Sequence, residues 1–268
     1  MDYKETKYLV FDVESVPDSR LINIVHYRGE NYSDEEALET FRRHLLEQSG
    51  GTSDFVPATL QYPICVCIAK LKEDFTLLDI VSLDEPHFRP REITRLFWLG
   101  IEELYDHASY VTFNGRGFDI PLLELMAYRY GIAAKRHFKD RFAGRYRFGT
   151  KHIDMQDFLS NFGAIRMNGG LDLLAKVIGK PGKMRIKGED VYNMFLQGQK
   201  QAINDYCIHD VLDTYFVFLR SRVLTREITF EREATIINLA KKFMTENTER
   251  IPAFKEYLEN WTDFEPWP

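Results

Sequence analysis

One early segment constrains this chain more than any other. Lys7-Tyr8-Leu9-Val10-Phe11-Asp12-Val13-Glu14 is a run of strand-forming residues that carries two carboxylates two positions apart and ends in the turn-prone Ser15-Val16-Pro17-Asp18. Residues two apart on a strand leave the same face, so Asp12 and Glu14 point together off an otherwise apolar element. Two acids on a buried-type face are costly unless a cation neutralises them. Taken alone, such a pair is more often a solvated strand end before a turn, and other parts of the sequence have to decide.

The pattern after this first strand is helical from about residue 18 to 60. Within it, Ser33 followed three residues later by Glu36 reads as a capping box, and Gly50-Gly51 closes the run. Residues 62–71 and 75–83 are strand-like and joined by Lys72-Glu73-Asp74, which predicts an antiparallel hairpin. Residues 91–107 place Ile93, Leu96, Phe97, Ile101 and Leu104 on one helical face, and a further strand follows at Ser109-Tyr110-Val111-Thr112-Phe113. A helix over 119–130 tolerates Pro121 in its first turn and stops at Gly131. A short strand at His152-Ile153-Asp154 precedes helices at about 156–162, 170–178, 188–195 and 198–221, and 226–260 reads as one or two more. Strands first, helices later and a helical crossover between strands predict an α/β fold: a mixed sheet flanked by helices, with a helical insertion after the first strand.

Two later motifs carry further acids. Asn114-Gly115-Arg116-Gly117-Phe118-Asp119 joins a strand to a helix, which puts Asp119 at a helix N-terminus, where an acid could simply cap free N–H groups. The glycines could serve only the tight turn; a third glycine and the downstream acid of a dinucleotide fingerprint are missing. Tyr206 and Asp210 are four apart on a helical segment and so share one face. Asp154 and Asp157 fit no motif position and read as caps or solvated acids.

As a set, Asp-x-Glu on a strand, Asn-x-x-x-Phe-Asp at a strand-to-helix junction and Tyr-x-x-x-Asp on a late helix resemble the three exonuclease motifs of the DEDDy group within the RNase H-like superfamily. More narrowly they resemble the proofreading domain of B-family DNA polymerases and its stand-alone bacterial relatives. The resemblance covers about residues 7–221. It implies an RNase H-like 3′–5′ exonuclease domain over 1–221, with 18–60 as an insertion and 222–268 as a C-terminal helical extension. It also implies that Asp12, Glu14 and Asp210 hold one metal ion, that Asp12 and Asp119 serve a second, and that Tyr206 orients the attacking water. Asn114 and Phe118 would contact the terminal nucleotide. The histidine variant of the motif would need His at position 205, which is Asp205, and His209 is out of phase.

Phosphodiester hydrolysis needs a nucleophile made from water and charge compensation at the attacking and leaving oxygens, which two divalent cations supply. Carboxylates are hard oxygen ligands suited to Mg²⁺ or Mn²⁺, so two such ions are the expected cofactors. The net charge of −6 is unpromising for a nucleic-acid binder, but charge is segregated: acids crowd residues 30–47, while 135–151 hold seven Lys or Arg against Asp140 alone. In that stretch Arg145 and Arg147 alternate with Phe138, Phe142, Tyr146 and Phe148, the mix found where a strand backbone is tracked and bases stack; an ordinary loop anchored by its aromatics is the equal alternative. A second basic run, Lys180, Lys183, Arg185 and Lys187, offers Lys183 for phosphate contact. Asn168-Gly169-Gly170 reads as a turn.

Cys65 and Cys67 share a strand face but lack a CxxC or a histidine pair nearby, so they read as buried thiols rather than zinc ligands. No secretory signal or apolar run of membrane-spanning length is evident, and a cytoplasmic location follows as the expectation. The reaction expected is release of nucleoside 5′-monophosphates from 3′ ends, with single-stranded DNA favoured over RNA and a polymerase or repair protein as the expected partner. An exoribonuclease, or a non-catalytic nucleic-acid-binding module on the same fold, are the alternatives.

Overall fold

The computed structural model describes residues 3–140, 144–186 and 188–262. Its elements in chain order are β1 (Tyr8–Pro17), α1 (Ser19–His26), α2 (Asp34–Gln48), β2 (Gln61–Leu71), β3 (Leu77–Ser82), α3 (Pro90–Leu99), β4 (Ser109–Thr112), α4 (Asp119–Tyr130), α5 (Lys135–Lys139), β5 (His152–Asp154), α6 (Met155–Leu159), α7 (Gly170–Val177), α8 (Val191–Leu196), α9 (Lys200–Leu224), α10 (Phe230–Glu246) and α11 (Ala253–Glu259). The strands form one sheet in the order β3-β2-β1-β4-β5. The hairpin partners β2 and β3 run antiparallel to their neighbours, whereas β4 and β5 follow helical crossovers and pair in parallel.

This order puts β1 at the centre, which explains its composition. Leu9, Val10, Phe11 and Val13 are all buried because the strand is covered on both faces, and Asp12 and Glu14 are the charged residues it carries, Glu14 buried with them. The sheet face opposite α3 is covered by α9, which packs on β2 and β1 and is itself surrounded by α7, α8, α10 and α11. Hence α9 is apolar around most of its circumference, with Ile203, Ile208, Val211, Leu212, Phe216, Phe218 and Leu219 all buried. The C-terminal helices contribute Ile236, Met244, Phe254 and Tyr257 to the same core.

The insertion forms α1 and α2, pinned by a small separate cluster of Ile22, Leu38, Val56 and Leu60; the Ser33–Glu36 capping box is present. The helix expected over 91–107 is regular only to Leu99 and then widens into a π turn, Gly100–Leu104, in which the Tyr105 N–H reaches back five residues to Gly100 O at 2.8 Å. Glycine in the helix interior weakens the regular ladder there. The stretch 135–151 begins with the short helix α5, to which the sequence pattern assigns no element. Among the described residues no helix is long and apolar enough to cross a membrane.

Candidate active site

Three elements bring acids to one crevice. β1 presents Asp12 and Glu14 on the face covered by α9, where they stand opposite Cys67 and Cys65 of β2. From the other side, α9 presents Tyr206 and Asp210 one turn apart. The turn from β4 into α4 delivers Asp119.

That turn is built for close approach. Asn114 takes a left-handed conformation (φ 61°), and a Cβ on Gly115 would lie 2.4 Å from Thr112 Oγ1, so any side chain there would push the turn off the sheet. Asp154, at the end of β5, accepts the backbone N–H groups of Asn114 and Arg116 at 2.9 Å each while also capping α6 through Gln156 N at 3.0 Å. The local pattern leaves Asp154 as a cap or a solvated acid; its partners across the sheet carry no signal in the sequence. Asp154→Ala is expected to leave three N–H groups unpaired and to cost on the order of 3 kcal/mol, read as a lower denaturant midpoint with an unchanged m-value.

Asp119 is the first residue of α4 and is 3% exposed, and the neighbouring backbone N–H groups, its own and that of Val13 between Asp12 and Glu14, partly offset the effect of burial on its carboxyl. Glu14 is also buried, whereas Asp12 and Asp210 are partly exposed at the mouth of the crevice. Every one of the four carboxyls is pushed above its usual range. Removal from water is the first cause in each case, and mutual repulsion adds to it for Asp12, Glu14 and Asp119. Asp119 is raised to about 7 and Asp210 to about 6. The Lys183 ammonium opposes this for Glu14 and Asp210, and the nearby Tyr206 hydroxyl does so for Asp210. Buried repulsion of this kind is relieved by divalent cations, so the donor set fits hard metal ions. Asp12 and Glu14 bring oxygens within 4.8 Å of each other and of the Cys207 sulfur. Among the described residues no three carboxylates draw that close.

Residues 53–261 match the model of a family described as "Predicted 3'-5' exonuclease related to the exonuclease domain of PolB". The chain belongs to this exonuclease family. The matched span contains Asn114, Phe118, Asp119, Tyr206 and Asp210 and begins after the strand that bears Asp12 and Glu14. Among solved structures, the family B DNA polymerase of the hyperthermophilic archaeon Pyrobaculum calidifontis is similar with a TM-score of 0.50 and 16% identity, over 92% of this chain and 29% of that one. Exonuclease I is similar with a TM-score of 0.38 and 11% identity, over 90% of this chain and 44% of that one. The chain therefore spans less than half the length of either. No curated protein matches it. The fold is the RNase H-like α/β architecture, and the protein is a 3′–5′ exonuclease, a class whose domains generally use divalent metal ions.

The expected substrate contacts separate into groups. Asn114, Arg145 and Arg147 line one cavity of about 420 Å³ together with Arg116 and Asp154. Both arginines are already engaged: Arg145 pairs with Glu124 at 2.9 Å over the Phe138 ring, and Arg147 pairs with Asp157 at 3.2 Å. Phe118 lies elsewhere, its ring 5.8 Å from Phe55, which comes from the insertion and had no signal in the sequence. Of the second basic run, Lys180 is buried with its ammonium 4.4 Å from the Trp261 ring centre and Arg185 is exposed near Glu256, while Lys183 lines a cavity with Tyr206 and Asp210. Lys183 is held there because Asp172 accepts its backbone N–H at 2.7 Å and Gly182 turns with φ 61° against the same carboxylate. Phe142 and Lys187 lie outside the described residues. Gly169 and Gly170 both take positive φ, so Asn168-Gly169-Gly170 is a turn as expected.

Proposed function

We propose that the chain trims single-stranded DNA from the 3′ end by a two-cation mechanism of the DEDDy type, releasing nucleoside 5′-monophosphates. The observation that carries this reading is the convergence of Asp12, Glu14, Asp119 and Asp210 from three separate elements into one crevice, where each is forced towards its protonated form unless cations are present. Asp12, Glu14 and Asp210 would hold one Mg²⁺ or Mn²⁺, and Asp12 with Asp119 would serve the other. Bound there, the cations supply an ionised water and offset charge on the attacking and leaving oxygens.

The side chains do the positioning. Burial and the surrounding carboxylates push the Tyr206 hydroxyl far above its ordinary range, so at neutral pH it stays protonated. It can therefore donate a hydrogen bond and fix the orientation of a water, but it cannot act as a phenolate base. Lys183, which lines a cavity with Tyr206 and Asp210, would receive the scissile phosphate. Asn114 and Phe118 would hold the terminal nucleotide, with Arg145 and Arg147 along the path of the strand. We take residues 1–221 as the catalytic unit, with 18–60 inserted and 222–268 as an extension, and a polymerase or repair protein as the partner.

Tyr206→Phe is expected to lower kcat by about 10²-fold, the scale of a lost orienting or proton-handling group, while leaving the Mn²⁺-induced rise in melting temperature intact. The reading as a whole is tested with single-stranded DNA and RNA labelled at either end. Mononucleotides should leave the 3′ end of DNA in the presence of Mg²⁺ or Mn²⁺ and not with a chelator. Faster loss from RNA would move the substrate to ribonucleotides, and binding without degradation would favour a non-catalytic module.

A further inference from the structure

Directly behind the carboxylates lies a second cluster that the exonuclease reading does not use. Cys65 and Cys67 of β2 and Cys207 of α9 are all fully buried, and their three sulfurs lie within 4.8 Å of one another. The Cys65 and Cys67 sulfurs are 3.6 Å apart. Three sulfurs around a tetrahedral zinc-like ion, with metal–sulfur bonds of about 2.3 Å, stand roughly 3.8 Å from one another. The thiols are thus near ligand spacing without rearrangement of the backbone.

Oxygen donors close the cluster. Asn204 Oδ1 lies 3.3 Å from Cys65 Sγ and 3.4 Å from Cys67 Sγ, and Asp12 Oδ2 lies 3.7 Å from Cys207 Sγ. Cys207 also belongs to the grouping formed with Asp12 and Glu14. It therefore stands between the hard carboxylates and the other two thiols, and a cation that enters through the carboxylate crevice can pass inward by exchanging ligands at Cys207. Softness decides where each ion rests: Mg²⁺ and Mn²⁺ stay with carboxylates, whereas filled-shell thiophilic ions move to sulfur.

We propose that Cys65, Cys67 and Cys207 form a binding site for one soft d¹⁰ cation, of the Zn²⁺ or Cd²⁺ class, with an Asp12 oxygen drawn inward past Cys207 to become the fourth ligand. Binding releases the thiol protons to solvent and draws Asp12 away from the magnesium position, so the loaded protein is inactive as a nuclease. The inhibition rests on the role given to Asp12 above; the binding does not.

The test titrates the full reduced chain with Cd²⁺ under anaerobic conditions in excess Mg²⁺, following the ultraviolet cadmium–thiolate charge-transfer band. Because the chain has three cysteines, the band should saturate at one ion per chain with the intensity of three thiolates. Cys67→Ala should weaken Cd²⁺ binding at least about tenfold and remove one thiolate's share of the band. Cys65→Val provides the same reading should Cys67→Ala fail to fold, as judged by circular dichroism. No band in the wild type, or a band indifferent to both substitutions, overturns the site. A full three-thiolate band with undiminished DNA degradation overturns the link to Asp12. Absence of degradation by the cadmium-free chain is a failure of the nuclease reading and leaves the band to be judged separately.

Discussion

Asp12→Asn is expected to lower 3′-end degradation by on the order of 10³-fold at saturating Mg²⁺, the scale lost when a preorganised stabiliser of the transition state is removed. Asp12 is the one acid assigned to both cations. It also lies at the point where repulsion from Asp119, Glu14 and Asp210 meets, so its replacement disturbs the whole centre. Asparagine keeps the shape and removes a charge that the metal-free fold holds unfavourably, so the variant should melt no lower than the wild type. Loss of activity then cannot be attributed to unfolding. Glu92→Ala serves as the control, because Glu92 pairs with Arg95 one turn along α3, away from the carboxylate crevice. Residual Asp12→Asn activity within tenfold of the wild type would remove Asp12 from the metal centre.

The second large effect is on stability, and its sign follows from the same carboxyls. A carboxyl whose pKa is higher in the folded chain than in the unfolded one binds its proton more tightly when folded. The metal-free fold therefore loses stability as pH rises from the ordinary carboxylate value of 3.8, through about 6 for Asp210 and about 7 for Asp119, and the share of each of these two groups levels off above its own folded value. Asp119→Asn removes one such group, so the melting temperature of the variant relative to the wild type should climb between pH 5 and pH 8. Mn²⁺ or Mg²⁺ acts in the opposite direction by binding the ionised forms. At a hundred times its dissociation constant a ligand adds about 2.7 kcal/mol. For a chain of this size, that is roughly 5–10 °C in melting temperature. The rise should be large at pH 8 and small at pH 5. A metal-induced shift that is equal at both pH values would show that the cations bind elsewhere.

Much of the architecture is legible in the sequence because local patterns speak for it. The strand-like run at 62–71, the capping box at Ser33 and Gly131 after α4 each fix an element through the backbone's own preferences, and all three are present in the structure. Gly100 was a weaker signal: it interrupts a pattern that otherwise reads as one helix to residue 107, and the result is a π turn. The acids at Asp12, Glu14, Asp119, Tyr206's neighbour Asp210, and the tyrosine itself stand out because their spacings place them on chosen faces of single elements.

What the sequence by itself determined is therefore the set of elements and, within each, the face on which a side chain emerges, since strand and helix periods are properties of a few consecutive residues. The tertiary structure decided which faces meet. Only the packing of α9 on β1 and β2 brings Cys207 to Cys65 and Cys67 and sets Asp210 against Asp12 and Glu14. Only the parallel pairing of β4 with β5 lets Asp154 hold the turn that carries Asp119. The same packing commits Arg145 and Arg147 to Glu124 and Asp157, partners whose role no local pattern could reveal. Contacts between residues far apart in the chain depend on the closure of the whole core, which is why spacing alone could not assign them.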